Sequence, residues 1–239
     1  MDQLKFIEYP LSVDLLLSAT ASDIRQLFRR INSYTVPLNP AESRHAIFQG
    51  AFKWFIVGLT EQYSQLLKDL GVFSESQLTR LADAVLFSEF VLALRGGIQT
   101  SAPTKIDNLY KNLDGEFHEA DAVSARLDRL FDQVIDWDAL HGGVLMKPYN
   151  FYSLALAVTH AQDPVQALLA DCEIEPGIDL GAPNVVFNLT TLEGAVADPE
   201  TYVDLIEFVR AGSAATNTEI SRKSRFRWFC RAITQPTLR

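Results

Sequence analysis

The chain of 239 residues has little cysteine, and its two thiols, Cys172 and Cys230, give neither a disulfide framework nor the spacing of a metal site. It also lacks an apolar run long enough to span a bilayer, and its N-terminus lacks the basic-then-apolar pattern of a secretory leader. We therefore expect a protein without membrane segments that works in the reducing cytoplasm.

Several motifs of catalysis are missing as well. The sequence has no Gly-rich phosphate loop, no G-x-S-x-G and no credible cysteine–histidine couple. Its histidines do not recur at the spacing of metal ligands, and they are His45, His118, His141 and His160. The sequence thus predicts no metal centre.

Net charge is −9, which by itself argues against general nucleic-acid binding. The charge is uneven, however. From Thr216 to Arg239 the chain has six Lys and Arg against one acid, whereas the remainder has 15 basic and 29 acidic residues. The basic C-terminal segment could therefore form a local anion-binding site, although the acidic remainder of the chain would repel nucleic acids in general.

Apolar residues recur mostly at helical spacing, which predicts a mainly α protein, an irregular multi-helix bundle with at most a short N-terminal β segment. The predicted helices are Thr20–Ile31, Pro40–Leu70 with a bend near Gly50, Ser74–Leu94, Thr104–Asn112, Glu116–Ile135, Tyr149–Ala161, Asp198–Arg210 and Asn217–Ile233.

We predict three parts of the chain. Residues 1–161 form a helical domain with a short strand segment, residues 162–198 form an irregular linker or loop rich in Pro, Gly and Asp, and residues 199–239 form a helical pair that packs back on the first domain. The segment Leu4–Leu17 has two readings of equal weight. It either pairs as strands with a sheet from another polypeptide or packs on the helices.

Local signals mark several helix starts. Thr20 with Asp23, and Ser74 with Gln77, have the spacing of a capping box. Asn39 is a preferred N-cap, the following Pro40 suits the first helical position, and Glu42 stands where a carboxylate reaches back to the cap. These signals predict a helix–hinge–helix over Asp23–Gln49.

The same stretch resembles a motif of the GmrSD-like restriction-enzyme family, which reads roughly F-x-R-(I/L)-N-S, a short gap, then L-(N/S)-x-x-E-x-R-x-A. The matching residues are Phe28, Arg30, Asn32, Leu38, Asn39, Glu42, Arg44 and Ala46. Weaker matches follow in the family's order, in Phe73–Asp83, in Ser88–Phe90 and in the T-x-x-x-R-x-x-R spacing of Thr218, Arg222 and Arg225.

The resemblance implies modification-dependent DNA restriction, in which a ParB/sulfiredoxin-like domain with a helical extension couples nucleotide hydrolysis to a nuclease. The chain has neither the family's DGQQR hydrolysis motif nor an HNH nuclease signature, and the resemblance covers the helical part alone. We therefore expect a non-catalytic helical portion of such a phage-defence protein.

In that role the chain would act in DNA or nucleotide sensing or as one subunit of a split protein, with a partner chain that carries DGQQR and completes a nucleoside triphosphate site. Two alternatives remain. One is an autonomous nucleotide-dependent DNase or nucleotide hydrolase, and the other is a truncated gene product without activity.

The candidate phosphate- or nucleotide-binding residues are Arg29, Asn32, Arg222 and Arg225. Arg222 falls within the apolar arc of the last helix, and a buried guanidinium must meet a carboxylate, carbonyls or a bound anion. The structural alternative for Arg222 is an ion pair within the chain, and for Asn32 it is a helix C-cap.

A second set of cations is a candidate DNA-binding surface. Lys223, Arg227 and Arg231 recur at intervals of four on the last helix, and Arg25 and Arg30 lie off the apolar face of the first. The plainer alternative is a solvated helix face. We interpret four residues of the GmrSD-like motif as structural, namely Phe28, Asn39, Glu42 and Arg44.

Overall fold

The computed structural model of the chain describes residues 17–32, 37–175 and 177–238, and within the first helix the side chains of residues 21, 25, 28, 29, 31 and 32 lie outside the description. The described part is 69% helical, with eleven α-helices and no strand. The prediction of a mainly α multi-helix bundle is therefore confirmed. The predicted strand segment Leu4–Leu17 lies outside the described residues except for Leu17 itself.

The helices in chain order are α1 Ala21–Asn32, α2 Pro40–Ile47, α3 Ala51–Asp69, α4 Glu75–Thr79, α5 Ala82–Gly96, α6 Pro103–Asn112, α7 Ala120–Ile135, α8 Pro148–Gln162, α9 Pro183–Ala197, α10 Ile206–Ser213 and α11 Glu219–Thr234. Short 3₁₀ turns cover Asp138–Leu140, Val144–Met146, Gln166–Leu168 and Val203–Leu205. The chain divides into two compact units, Met1–Leu38 and Asn39–Arg239. No helix in the described part is long and apolar enough to cross a membrane.

The core of the second unit surrounds α8, which is buried without interruption from Asn150 to Ala161. A helix that is apolar on nearly every side needs neighbours on every side. Helices α5, α7 and α11 pack against α8, and α11 also packs against α9 and α10. This arrangement brings the Arg-rich last helix against the centre of the bundle.

The predicted helix starts are confirmed at three places. Thr20 and Asp23 exchange hydrogen bonds, with the Thr20 backbone N–H 2.9 Å from the carboxylate. The Asn39 side chain accepts from the backbone of Glu42, whose carboxylate accepts from the Asn39 N–H at 2.8 Å. The Ser74 N–H donates to the Gln77 side chain at 2.9 Å. Each contact satisfies a donor that the first helical turn leaves open.

The single bent helix predicted for Pro40–Leu70 is wrong, because the chain breaks fully between α2 and α3. Gly50 is the N-cap of α3, and the next N–H, of Ala51, donates to the Asp114 carbonyl at 2.8 Å. A Cβ at Gly50 would stand 1.9 Å from that same carbonyl oxygen. The helix therefore ends where another loop comes into backbone contact with the chain.

The helix predicted from Ser74 to Leu94 is also divided. Leu81, with φ of 58°, stands in the left-handed region between α4 and α5. Just before it, the Arg80 carbonyl accepts a hydrogen bond of 2.9 Å from the Asn39 side chain. The cap of α2 thus holds the α4–α5 turn in place.

The irregular segment predicted for residues 162–198 contains helix α9, which begins at Pro183 and buries Val185, Leu189 and Leu192. The Pro, Gly and Asp residues that favoured a loop are concentrated before this helix. The predicted helix start at Asp198 is also wrong, because the Asp198 carboxylate accepts from Thr201 and closes a turn, and α10 begins only at Ile206. The three-part division of the chain otherwise stays a prediction.

Candidate anion-binding cavity

A cavity of about 470 Å³ opens in the second unit, and we call it the arginine cavity because Arg44, Arg80 and Arg222 line it. Helices α2, α5, α6 and α8 all begin at its wall. Three of these helices have proline at the first position, where its fixed φ suits a helix start and no N–H is lost. Helix starts carry partial positive charge and favour anions.

Arg222 and Glu89 form an ion pair of 2.7 Å at this wall, and both side chains are buried. The guanidinium also donates to the Gln99 carbonyl at 3.3 Å and lies 4.3 Å from the Tyr152 ring centroid. Burial raises the pKa of Tyr152. The structure contains the ion pair that was the alternative for Arg222, so the charge of this arginine is balanced within the protein.

The pair is not fully satisfied. Oε1 of Glu89 and Nε of Arg222 are buried and have no hydrogen-bond partner among the residues that the structure describes. Buried polar atoms are nearly always hydrogen-bonded, and an unpaired one costs free energy. A ligand with both a donor and an acceptor at this wall would satisfy what the protein leaves open.

Arg44 and Arg80 supply the remaining positive charge. Arg44 is buried, lies 3.0 Å from the Asp107 carboxylate and has its guanidinium 5.9 Å from the Tyr110 ring centroid. Arg80 is partly exposed and lies 3.0 Å from Glu42, the same carboxylate that caps α2. The charged residues that line the cavity are therefore three arginines and Glu89, in a chain whose net charge is −9.

Arg225 lies outside this cavity. It is fully buried, and its guanidinium donates to the carbonyls of Ala211 and Thr216 near the end of α10. Burial lowers its pKa, although a guanidinium still remains charged at neutral pH. Carbonyls at a helix end attract cations, so the contacts of Arg225 stabilise the junction of α10 and α11.

The predicted stripe on α11 surrounds an acid. Lys223 and Arg227 lie 3.4 Å and 2.9 Å from the carboxylate of Asp171, and Lys223 also pairs with Glu219 at 2.9 Å. Arg231 has its guanidinium 4.7 Å from the Trp228 ring centroid. Much of the positive charge of this face is therefore balanced within the protein.

The remaining predicted site residues belong to the first unit. Arg30 is exposed, and the side chains of Arg25, Phe28, Arg29 and Asn32 lie outside the described residues. Of the four predicted phosphate-binding residues, the structure places Arg222 at the arginine cavity and Arg225 away from it. Arg44 and Arg80, which were not predicted to bind phosphate, line the same cavity as Arg222.

Sequence reasoning missed Arg80, Glu89 and Tyr152 as site residues. A usable signal existed for Glu89, because a carboxylate in the almost wholly apolar helix α5 must have a buried partner. No comparable signal marked Tyr152, which is one of many apolar or aromatic residues of α8.

Comparison with known proteins adds no relative. No protein-family model, no curated protein and no solved structure matches the chain.

Proposed function

We propose that the chain is a non-catalytic binding module whose arginine cavity holds a phosphate-bearing ligand, with a nucleoside triphosphate as the ligand class. The observation that carries the proposal is the lining of the cavity, in which three arginines, each paired with a carboxylate, meet the first residues of four helices. Arginine matches phosphate geometry with paired donors, and helix starts add backbone dipoles. The half-buried aromatic ring of Tyr149 at the same cavity suits a stacked base.

The wider role rests on the resemblance to GmrSD-like restriction proteins. In that role the module works in the cytoplasm, senses nucleotide or DNA in phage defence and is completed by a partner chain that carries the DGQQR motif. The first proposal, ligand binding in the cavity, does not depend on this wider role.

Isothermal titration calorimetry with purine and pyrimidine nucleoside triphosphates tests ligand binding. Arg80→Ala is the informative variant, because Arg80 is partly exposed and its removal leaves the core intact. We expect the dissociation constant to rise by about tenfold or more, since a charge-assisted hydrogen bond contributes about 1.5–3 kcal/mol.

Arg95→Ala is the matched control. Arg95 has an exposed fraction of 41%, close to the 45% of Arg80, and it also pairs with one glutamate, but it does not line the cavity. Equal affinity of the two variants for the triphosphate would contradict the proposed function. So would the absence of binding heat with every triphosphate, and the chain would then be better explained as a truncated gene product without activity.

Two further assays separate the remaining alternatives. Release of phosphate from a bound triphosphate by the purified chain alone would favour the autonomous hydrolase. Hydrolysis that requires the product of an adjacent DGQQR-bearing reading frame, together with co-elution of the two chains, would favour the split protein.

For DNA, the α11 stripe is the candidate surface, although Asp171 balances part of its positive charge.

A further inference from the structure

A second, smaller cavity of about 130 Å³ shares Ala41 and Arg44 with the arginine cavity. We call it the lysine cavity because Lys53 of α3 lines it. Its other charged or titratable wall residues are His45, Glu61 and Tyr110. A water molecule takes about 30 Å³ of liquid, so the space suits a small polar ligand rather than a nucleoside.

Lys53 is the unusual residue of this cavity. Its exposed fraction is 4%, and its Nζ atom lies 3.2 Å from the ring centroid of the neighbouring Trp54. Within the part of the chain that the structure describes, Lys53 has no ion pair with a carboxylate, and no oxygen accepts a hydrogen bond from its ammonium group. The side chain of Lys53 is therefore largely covered, while its ammonium group lies against the exposed ring of Trp54 without an anionic partner among the described residues.

The surroundings of Lys53 contain one other cation, Arg44, and one carboxylate, Glu61. Arg44 is buried and uses Nη1 to contact Asp107. Burial, followed by the charge of Lys53, lowers the pKa of His45, so this imidazole is neutral at neutral pH. Glu61 is exposed. Burial also lowers the pKa of Lys53. Lys53, which has no counter-charge among the described residues, and Arg44, which pairs with Asp107, thus line a cavity to which the described residues contribute one exposed carboxylate.

We propose that the lysine cavity is a separate oxyanion site, in which Lys53 and Arg44 bind a phosphate group. Each cation supplies donors that suit a tetrahedral oxyanion, and the buried position strengthens the attraction. The group has two possible sources, a free inorganic phosphate or the terminal phosphate of a ligand in the adjoining arginine cavity. Both sources require the same contacts with Lys53.

The first experiment titrates inorganic phosphate into the full chain and follows tryptophan fluorescence and calorimetric heat. Trp54 is the exposed tryptophan in contact with Lys53, whereas Trp137 and Trp228 are buried. Phosphate that draws the ammonium group away from the ring should change the emission of Trp54. We expect saturable binding, and Trp54→Phe should abolish the fluorescence change while retaining the heat.

The second experiment compares Lys53→Met with Lys68→Met. Lys68 lies on the same helix, is exposed and pairs with Glu75, so it is the matched control. We expect Lys53→Met to weaken phosphate binding by at least tenfold, Lys53→Arg to retain most of it and Lys68→Met to leave it unchanged. Equal phosphate affinity in Lys53→Met and the unaltered chain overturns the site. So does the absence of any phosphate-induced change in the unaltered chain, a result that needs no variant to fold.

The two sources give different patterns with a nucleoside triphosphate. If Lys53→Met loses phosphate but keeps full affinity for the triphosphate, the site holds a free oxyanion. If Lys53→Met and Arg80→Ala both weaken the triphosphate, the terminal phosphate occupies the lysine cavity. Phosphate binding through Lys53 without any triphosphate binding would support the oxyanion site and remove the proposed function of the arginine cavity.

Discussion

Arg222 of α11 and Glu89 of α5 form a buried ion pair of 2.7 Å although 133 residues separate them in the chain. The contact joins the last helix to the fifth at the wall of the arginine cavity. The same two side chains therefore contribute to the stability of the bundle and to the charge of the candidate site. A substitution at either residue should therefore change both the stability of the bundle and the charge of the candidate site.

Loss of one partner of this pair should be strongly destabilising. Arg222→Met leaves the Glu89 carboxylate buried without a counter-charge, and we expect the free energy of unfolding to fall by about 3–5 kcal/mol in urea denaturation. Replacing both partners, as in Glu89→Leu with Arg222→Met, should recover most of that loss because no buried charge remains. A double variant as unstable as the sum of its single variants would contradict this account.

The cap at Asn39 should serve two elements at once. Asn39→Ala removes the acceptor for the first N–H groups of α2 and the donor to the Arg80 carbonyl. We expect a loss of about 1–2 kcal/mol in the free energy of unfolding, measured by urea denaturation. Asn39→Asp keeps the cap but loses the donor to Arg80, so its loss should be smaller. Equal losses in the two variants would mean that the helix cap contributes little.

Substitution of two glycines tests whether the contact with Asp114 causes the break between α2 and α3. Gly50→Ala places a Cβ 1.9 Å from the Asp114 backbone oxygen, which cannot move as a flexible side chain would. We expect a loss of about 3 kcal/mol in the free energy of unfolding. Gly58→Ala is the matched control within α3, because the added Cβ would meet no atom within 4 Å from outside its own helical turn in the described part of the chain. It should stabilise the protein by about 0.5–1 kcal/mol through helix propensity.

Thermal and urea unfolding of both glycine variants give the comparison. If Gly50→Ala retained full stability, the contact with Asp114 would not be what separates α2 from α3.

The features that sequence reasoning found are those whose partners lie within one helical turn. Asn39 with Glu42 and Ser74 with Gln77 satisfy each other at a separation of three residues, so the pattern contains both partners. The helices themselves could be predicted from apolar spacing because that pattern also lies within one or two helical turns. The break at Gly50 was predicted only as a bend, and the break at Leu81 was missed, because the contacting residues Asp114 and Asn39 lie far away in sequence.

The candidate site was only partly predictable for the same physical reason. The burial of Arg222 followed from its position on the helix, but nothing local identified Glu89 as its partner among 30 acidic residues. Lys53 was missed altogether, since a lysine at the start of an amphipathic helix is usually solvated. The burial of Lys53 depends on how neighbouring helices pack against α3, and the spacing of apolar residues in the sequence contains no information about that packing.

The last prediction concerns Glu193 of α9, a partly buried carboxyl group that accepts a hydrogen bond of 3.3 Å from the Leu145 N–H. Burial raises the pKa of Glu193 above its ordinary value of 4.5, although the N–H groups of Leu145 and Val144 oppose that shift. The folded chain therefore binds this proton more tightly than the unfolded chain. Stability due to this group is fully present below the unfolded pKa and is lost as pH rises through the folded pKa.

Glu193→Gln should remove this loss, since the amide is neutral and its oxygen can still accept from Leu145. We expect the variant to be more stable than the unaltered chain at neutral pH, and the difference to vanish below about pH 4. Urea denaturation at a series of pH values measures it, and the exposed Glu175→Gln controls for the loss of one surface carboxylate. A stability difference that stays constant between about pH 4 and pH 8 would contradict the assignment, because any other carboxyl group titrates equally in both proteins and cancels.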